Sequence, residues 1–319
     1  MATKKKGKKP AAKTASATPK AAAVTTAKGG STTVNITEVN ETVIIASPAD
    51  GKVSCDPKTL FANFFKRKYE NEDILTIFRS PKIIGAMLGE IIGIMLIALV
   101  WLAMGNEPIY LIFTIMFATL IAYPISGAHL NPLVTLGMMV TRRVSVVRGV
   151  FYIIAQLIGA MLAWLIIQLL IGAATSNMAD SAISATQMRP ITEVSQLGGL
   201  IAVEAIGAAI IGFTFARALK YKKSAFTFSA VVAGGIFTAI LAALFISHRY
   251  FGITDSFAFN PAIAVALEAF MARETIVWQA LITYALIPLV AGVAGFLLAD
   301  VTSALAGEST GCDRKDCKC

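Results

Sequence analysis

Charge is scarce in this chain: Asp, Glu, Lys and Arg make up 15% of its 319 residues, against about 25% in an ordinary soluble domain. With 56% hydrophobic residues, too little polar surface remains to cover a soluble fold. Histidine is scarcer still, at two residues, His129 and His248. No cysteine falls in the apolar stretches and no glycine-rich phosphate loop is present, so nothing supports an enzyme, a cofactor or a metal centre. The four cysteines, Cys55, Cys312, Cys317 and Cys319, flank the apolar region and imply no disulfide framework. The closing Cys312–Cys319 run is open to palmitoylation or metal binding, but without a neighbouring His a plain reduced tail is the preferred reading. Acid is absent before Glu38, and no secretory signal peptide is visible.

What is present is long and apolar, with a mean hydropathy of +0.71. One helical crossing of a bilayer takes roughly 20 residues. Runs of that kind lie at Ile83–Met104, Ile109–Ile125, Val147–Ile171, Leu197–Leu219, Phe226–Ile246 and Ile276–Ala299. Basic residues crowd alternate connections: the N-terminal tail, then Arg142, Arg143 and Arg148, then Arg217, Lys220, Lys222 and Lys223, and finally Lys315 and Lys318. The loops between them carry few, such as Arg189 and Arg249. The positive-inside rule therefore puts both termini in the cytosol, and an even number of spans independently puts them on one side.

The net charge of +9 belongs mostly to the tail, where Met1–Ala23 carries seven Lys. Such a segment cannot bury enough apolar surface to fold alone. Three readings stand for it: a solvated disordered tail, contact with anionic lipid, or an organelle address. Nucleic acid is not an expected partner. The organisation is thus a basic N-terminal region (1–80), an apolar membrane-spanning domain (81–300) and a Cys-containing tail (301–319).

Two short stretches break the apolar pattern. Ser126-Gly127-Ala128-His129-Leu130-Asn131-Pro132-Leu133 and Phe259-Asn260-Pro261-Ala262 each sit late in their own half of the chain. Asn is a favoured N-cap and Pro suits the first helical position. Each Asn-Pro thus opens a helix too short to span, at Leu133–Val140 and at Ile263–Phe270. Non-helical backbone at membrane depth persists only where protein or a water-filled cavity covers it. Paired breaks in corresponding positions point to a pore or binding site at the midplane.

The halves repeat imperfectly: Glu90 and Glu204 occupy equivalent places in their opening spans, and Gln156 lies in the third. Three crossings per half make the repeat inverted. An ionisable residue inside a span costs about 2.5–3.5 kcal/mol and faces partners in the bundle. A proton relay is one reading of the pair. The preferred one is structural: each carboxylate accepts backbone N–H groups exposed by the half-helix loop of its own repeat.

From Lys82 to Leu298 the chain resembles the major intrinsic protein family, the aquaporins and aquaglyceroporins. The resemblance rests on Ser126–Pro132 with Val134-Thr135-Leu136-Gly137, on Tyr152–Ala160 around Gln156, on Gly89-Glu90 and Glu204–Gly207, and on Asn260-Pro261-Ala262. It implies an all-α membrane fold of six spans plus two re-entrant half-helices, and a passive homotetramer with one pore per subunit. It also implies that Asn131 and Asn260 point amide donors at a passing solute where the half-helix dipoles converge. The carbonyls of Gly127, Ala128, His129, Ser256, Phe257 and Ala258 would line the path. Three departures stand out: Leu133 replaces the usual Ala, Ile263 replaces the family's filter Arg, and the loop before Asn260 is about six residues long in excess. In the lack of that Arg the chain resembles the family's unorthodox members. The filter positions implied by spacing are Leu111, Phe257, Ile263 and, in the fifth span, either Ala242 or His248. The expected function is a channel for water or small neutral solutes such as glycerol, urea or hydrogen peroxide. The rivals are an ion channel of the same fold, a secondary transporter, and a membrane junction or scaffold protein with a vestigial pore.

Overall fold

A computed structural model describes residues 81–105, 107–173, 194–252, 257–270 and 277–306. The expectations for the basic N-terminal region, all four cysteines and Ser256 fall outside these residues. Within them the chain forms α1 (Pro81–Met104), α2 (Pro108–Ser126), α3 (Pro132–Val140), α4 (Val146–Gly172), α5 (Val194–Ala218), α6 (Ala225–Ile246), α7 (Pro261–Ala266), α8 (Val277–Leu281) and α9 (Ile287–Leu305). Among the described residues, six stretches are long and apolar enough to cross a membrane, the last of them running from α8 through α9. α3 and α7 are the two short helices between spans.

Local chemistry sets several boundaries. Pro108 opens α2, and Gly127 closes it at φ +85°, a left-handed cap for which glycine has no steric cost. Ser145 and Ser224 cap α4 and α6 by accepting the N–H groups of Arg148 and Thr227. Between α8 and α9 the helix widens into a π turn at Ile282–Leu286. Pro288 is the second residue after it; its missing N–H and its ring disfavour the α-helical bond to the carbonyl four residues back. α6 likewise continues as a π turn, Ser247–Phe251, and stops at Gly252 with φ +62°. Part of the long connection before Asn260 is therefore an extension of the fifth span.

Two expected boundaries are corrected. The second half-helix ends at Ala266 instead of Phe270: residues 267–270 turn, with Glu268 at φ +58°. No Gly or Pro marks that stop. The Glu268 carboxylate instead accepts from Trp164 Nε1 and Gln168 Nε2 on α4. The last span runs on to Leu305, past the expected end at Ala299.

The packing follows the inverted repeat. α1 packs on α2 and α4, as α5 packs on α6 and α9, while α2 and α6 meet each other. α3 rests on the last span of both halves and on α5; α7 rests on the last span of both halves and on α1. Exchanging the halves exchanges these two sets. Close approach depends on glycine at matched places. Gly93 and Gly207 each lie three residues after a buried Glu, and a Cβ there would overlap Leu130 and the Phe259 ring respectively. Gly207→Ala should therefore destabilise the protein by about 1–3 kcal/mol through overpacking. Gly234→Ala, whose Cβ would meet open space, should not. Thermal unfolding midpoints of both variants in detergent check the contrast.

Candidate functional site

Both chain breaks adopt strained backbone. Ala128 and Leu130 stand at φ +52° and +47°, and Phe259 at +52°. Left-handed backbone costs a non-glycine residue roughly 1–2 kcal/mol, and here it also turns N–H groups away from any helical partner. The two fully buried glutamates collect those donors. Glu90 accepts from His129 N at 3.0 Å and Leu130 N at 2.7 Å. Ser126 Oγ and Gln156 Nε2 also donate to it, at 2.6 and 2.7 Å. Glu204 accepts from Ala258 N at 2.7 Å and Phe259 N at 3.0 Å. Each carboxylate serves the loop of its own half.

The asparagines do the reverse and reach across. Asn131 caps α3 by accepting Leu133 N, and Asn260 caps α7 by accepting Ala262 N and Ile263 N. Asn131 Nδ2 donates to the Phe259 carbonyl and Asn260 Nδ2 to the Leu130 carbonyl, both at 3.0 Å. The half-helices therefore meet at their N-termini, with Pro132 and Pro261 as first residues and Leu133 and Ala262 next, all buried. Each amide nitrogen carries two hydrogens, so one per Asn remains after the cross-bond.

A narrow cavity lies against this junction. Its room for water centres is about 30 Å³, enough for one or two waters. Its walls include Asn131, Asn260, Ala128, His129, Ala258 and Phe259. Gly127 and Phe257, whose carbonyls were expected on the path, are not among them. Nor are the five filter positions. Leu111, Phe257 and Ile263 are fully buried in the core, and the Phe257 ring stacks on Phe259 at 4.9 Å. Ala242 is half-buried and His248 is exposed on the π turn, so neither faces the cavity; α6 contributes Val232 and Ile236 to its wall instead.

Sequence reasoning missed several participants. Thr135 joins His129 Nδ1 and Gln156 Nε2 through its hydroxyl; it stood inside the quoted motif, but no spacing rule assigns it that place. Trp101 and Thr119 line the cavity from α1 and α2. Both spans are apolar on every side, so no periodicity distinguishes their inward faces.

The sequence profile of the major intrinsic protein family matches residues 79–299. The chain belongs to that family. Aquaporin-1 of Sus scrofa is 32% identical over 163 residues, half of this chain and 58% of that protein. Aquaporin-1 of Canis lupus familiaris is 36% identical over 112 residues, 34% of this chain and 37% of that one. Aquaporin TIP2-1 of Zea mays is 33% identical over 146 residues, 45% of this chain and 54% of the relative. The aligned stretches thus span between about a third and three-fifths of these relatives. The crystal structure of the aquaglyceroporin from Plasmodium falciparum superposes with a TM-score of 0.51 at 20% identity, covering 69% of this chain and 94% of that one. That likeness establishes the major intrinsic protein fold. Together with the six apolar stretches, family membership makes the chain an integral, multi-pass membrane protein.

The glutamate bonds predict unequal costs. Leaving a buried donor unpaired costs about 1–3 kcal/mol. Glu90→Ala strands the His129 and Leu130 N–H groups and one Gln156 amide hydrogen, while Ser126 Oγ keeps the Ala122 carbonyl; Glu204→Ala strands two N–H groups. Both should lower the yield of monodisperse protein, Glu90→Ala more severely. Size-exclusion profiles at matched expression check the order; normal yield with altered pH dependence of transport would assign a proton relay instead.

Proposed function

We propose that the chain is a passive channel for water and small neutral solutes, with glycerol, urea and hydrogen peroxide as candidates. The observation that carries this reading is the reciprocal pair of bonds from Asn131 to the Phe259 carbonyl and from Asn260 to the Leu130 carbonyl, beside a cavity lined by both asparagines. Two helix N-termini facing one cavity bring two positive dipole ends together. A cation there is repelled. A water donates its hydrogens away from the amides on either side, which interrupts a proton-conducting chain. No side chain in this arrangement does covalent chemistry, and the reading includes neither enzymatic activity nor a cofactor. It also includes cytosolic termini and a homotetramer, with the N-terminal Lys run as a solvated tail and contact with anionic lipid as its alternative.

Ile263 supports a wider solute range than an Arg-bearing filter allows. At that level an isoleucine stands in place of the guanidinium, so no fixed positive charge competes for a solute's waters. Stopped-flow light scattering on proteoliposomes tests the function directly. The parent should pass water and at least one of glycerol, urea and hydrogen peroxide above protein-free vesicles. Ile263→Arg should reduce neutral-solute flux more than water flux, normalised to inserted protein. A variant that passes glycerol and urea as well as the parent overturns the role given to Ile263.

The full burial of Leu111, Phe257 and Ile263, off the cavity wall, favours a second reading: a junction or scaffold protein with a closed pore. A folded, reconstituted parent that passes none of the solutes would establish it. The missing Arg likewise keeps ion conduction in view. Asn131→Asp or Asn260→Asp places a negative charge where the dipole ends converge, so proton or cation leak under voltage clamp should rise severalfold while the fold survives. A large ion current in the parent itself would favour the ion channel.

A further inference from the structure

Apart from the family motif residues, the polar side chains on the cavity wall are Trp101 and Thr119. Trp101 is 4% exposed and Thr119 1%. Neither makes a hydrogen bond to another group of the protein, and neither polar atom is sealed off by its surroundings. That is unusual treatment for a threonine on a membrane helix, whose hydroxyl commonly bonds the carbonyl one turn back. Thr114, Thr135 and Thr141 do so here, to Tyr110, Asn131 and Gly137. Thr119 makes no such bond and lies on the cavity wall. The indole N–H of Trp164, by contrast with that of Trp101, is taken by Glu268.

An unpartnered buried donor is costly in an apolar surround, and Ile97, Ile115, Val232 and Ile236 make the surround here. The cost is relieved when a small molecule enters. Indole N–H only donates, while a hydroxyl donates and accepts. Their complement is an oxygen that accepts from Trp101 and exchanges a bond with Thr119. We propose that Trp101 and Thr119 form a station for a single solute oxygen, that of water or of a small neutral hydroxylic molecule. The station sits on the α1–α2 side of the asparagine pair. Resting on the channel reading, it assigns to this chain donors that Ile263 does not supply.

The test is water and glycerol flux in proteoliposomes carrying the full chain, normalised to inserted protein, for Trp101→Phe, Thr119→Val and Thr119→Ser. Trp101→Phe removes the N–H while keeping an aromatic ring, and Thr119→Val is close to isosteric. Each should lower flux at least threefold and raise its activation energy. Thr119→Ser, which returns a hydroxyl, should recover flux relative to Thr119→Val. Should Trp101→Phe fail to insert, the Val–Ser comparison at position 119 decides alone. A conducting parent whose variants keep the parental flux and activation energy overturns the station and leaves the channel reading standing. A parent that conducts nothing overturns both.

Discussion

A chain that abandons helical geometry at membrane depth must bring its own acceptors for the N–H groups it exposes. Water is not there to do it, and each buried orphan costs several kcal/mol. In this protein two buried carboxylates meet that demand, Glu90 for His129 and Leu130, Glu204 for Ala258 and Phe259. Much else follows. Gly93 and Gly207 follow each Glu by three residues because the loop it holds must come close enough to be held. The held loop then presents the carbonyls of Leu130 and Phe259, which the opposite asparagine takes. Acceptors for N–H groups come from within a repeat, and donors for carbonyls come from across. Neither half completes the junction by itself.

The repeats are equal in plan and unequal in execution. The first loop is tied by Ser126, Gln156 and Thr135 as well as by Glu90. The second has two backbone bonds to Glu204 and a shorter half-helix, six residues against nine. Its far end is secured from outside the motif, by Trp164 and Gln168 on α4 holding Glu268. The corresponding end of α3 is secured by Arg143, which pairs with Asp300 and lies over the Phe296 ring. Both anchors reach to the last span of the opposite half. The half-helix is thereby fixed at both ends, by its Asn at the junction and by an ionic or charge-assisted contact at its exit.

Much of this was legible in the residues. Uninterrupted apolar runs gave the spans to within a few residues, because hydrocarbon tolerates little else. Asn-Pro announced each half-helix, since capping and proline geometry are local. What lay beyond reach was rotation and termination. Which face of α2 or α6 turns inward is decided by packing, and in spans apolar all round no hydrophobic stripe records it. Spacing alone therefore does not single out Ile115, Thr119, Val232 and Ile236, which make the wall of the cavity at the asparagine junction. α7 ends without a Gly or Pro, on a Glu whose partners lie about a hundred residues earlier. The π turns were equally hidden: a proline such as Pro288 disturbs a helix locally, but nothing in the residue tells that the helix widens and continues.

On the channel reading, the loss of a filter Arg leaves the task of ion exclusion to geometry. The cavity at the asparagine junction has room for one or two waters. An ion entering it would surrender most of its hydration shell and find isoleucine, valine and phenylalanine on most sides. Moving a charge from water into such surroundings without compensation costs far more than a neutral molecule pays. The groups that remain, two amides and the Trp101 and Thr119 side chains, match one neutral oxygen better than they match a charge. A fixed cation at the constriction would add to this barrier for cations while attracting anions. Without it, exclusion rests on desolvation, which acts on both signs of charge, with the converging half-helix dipoles adding a bias against cations alone.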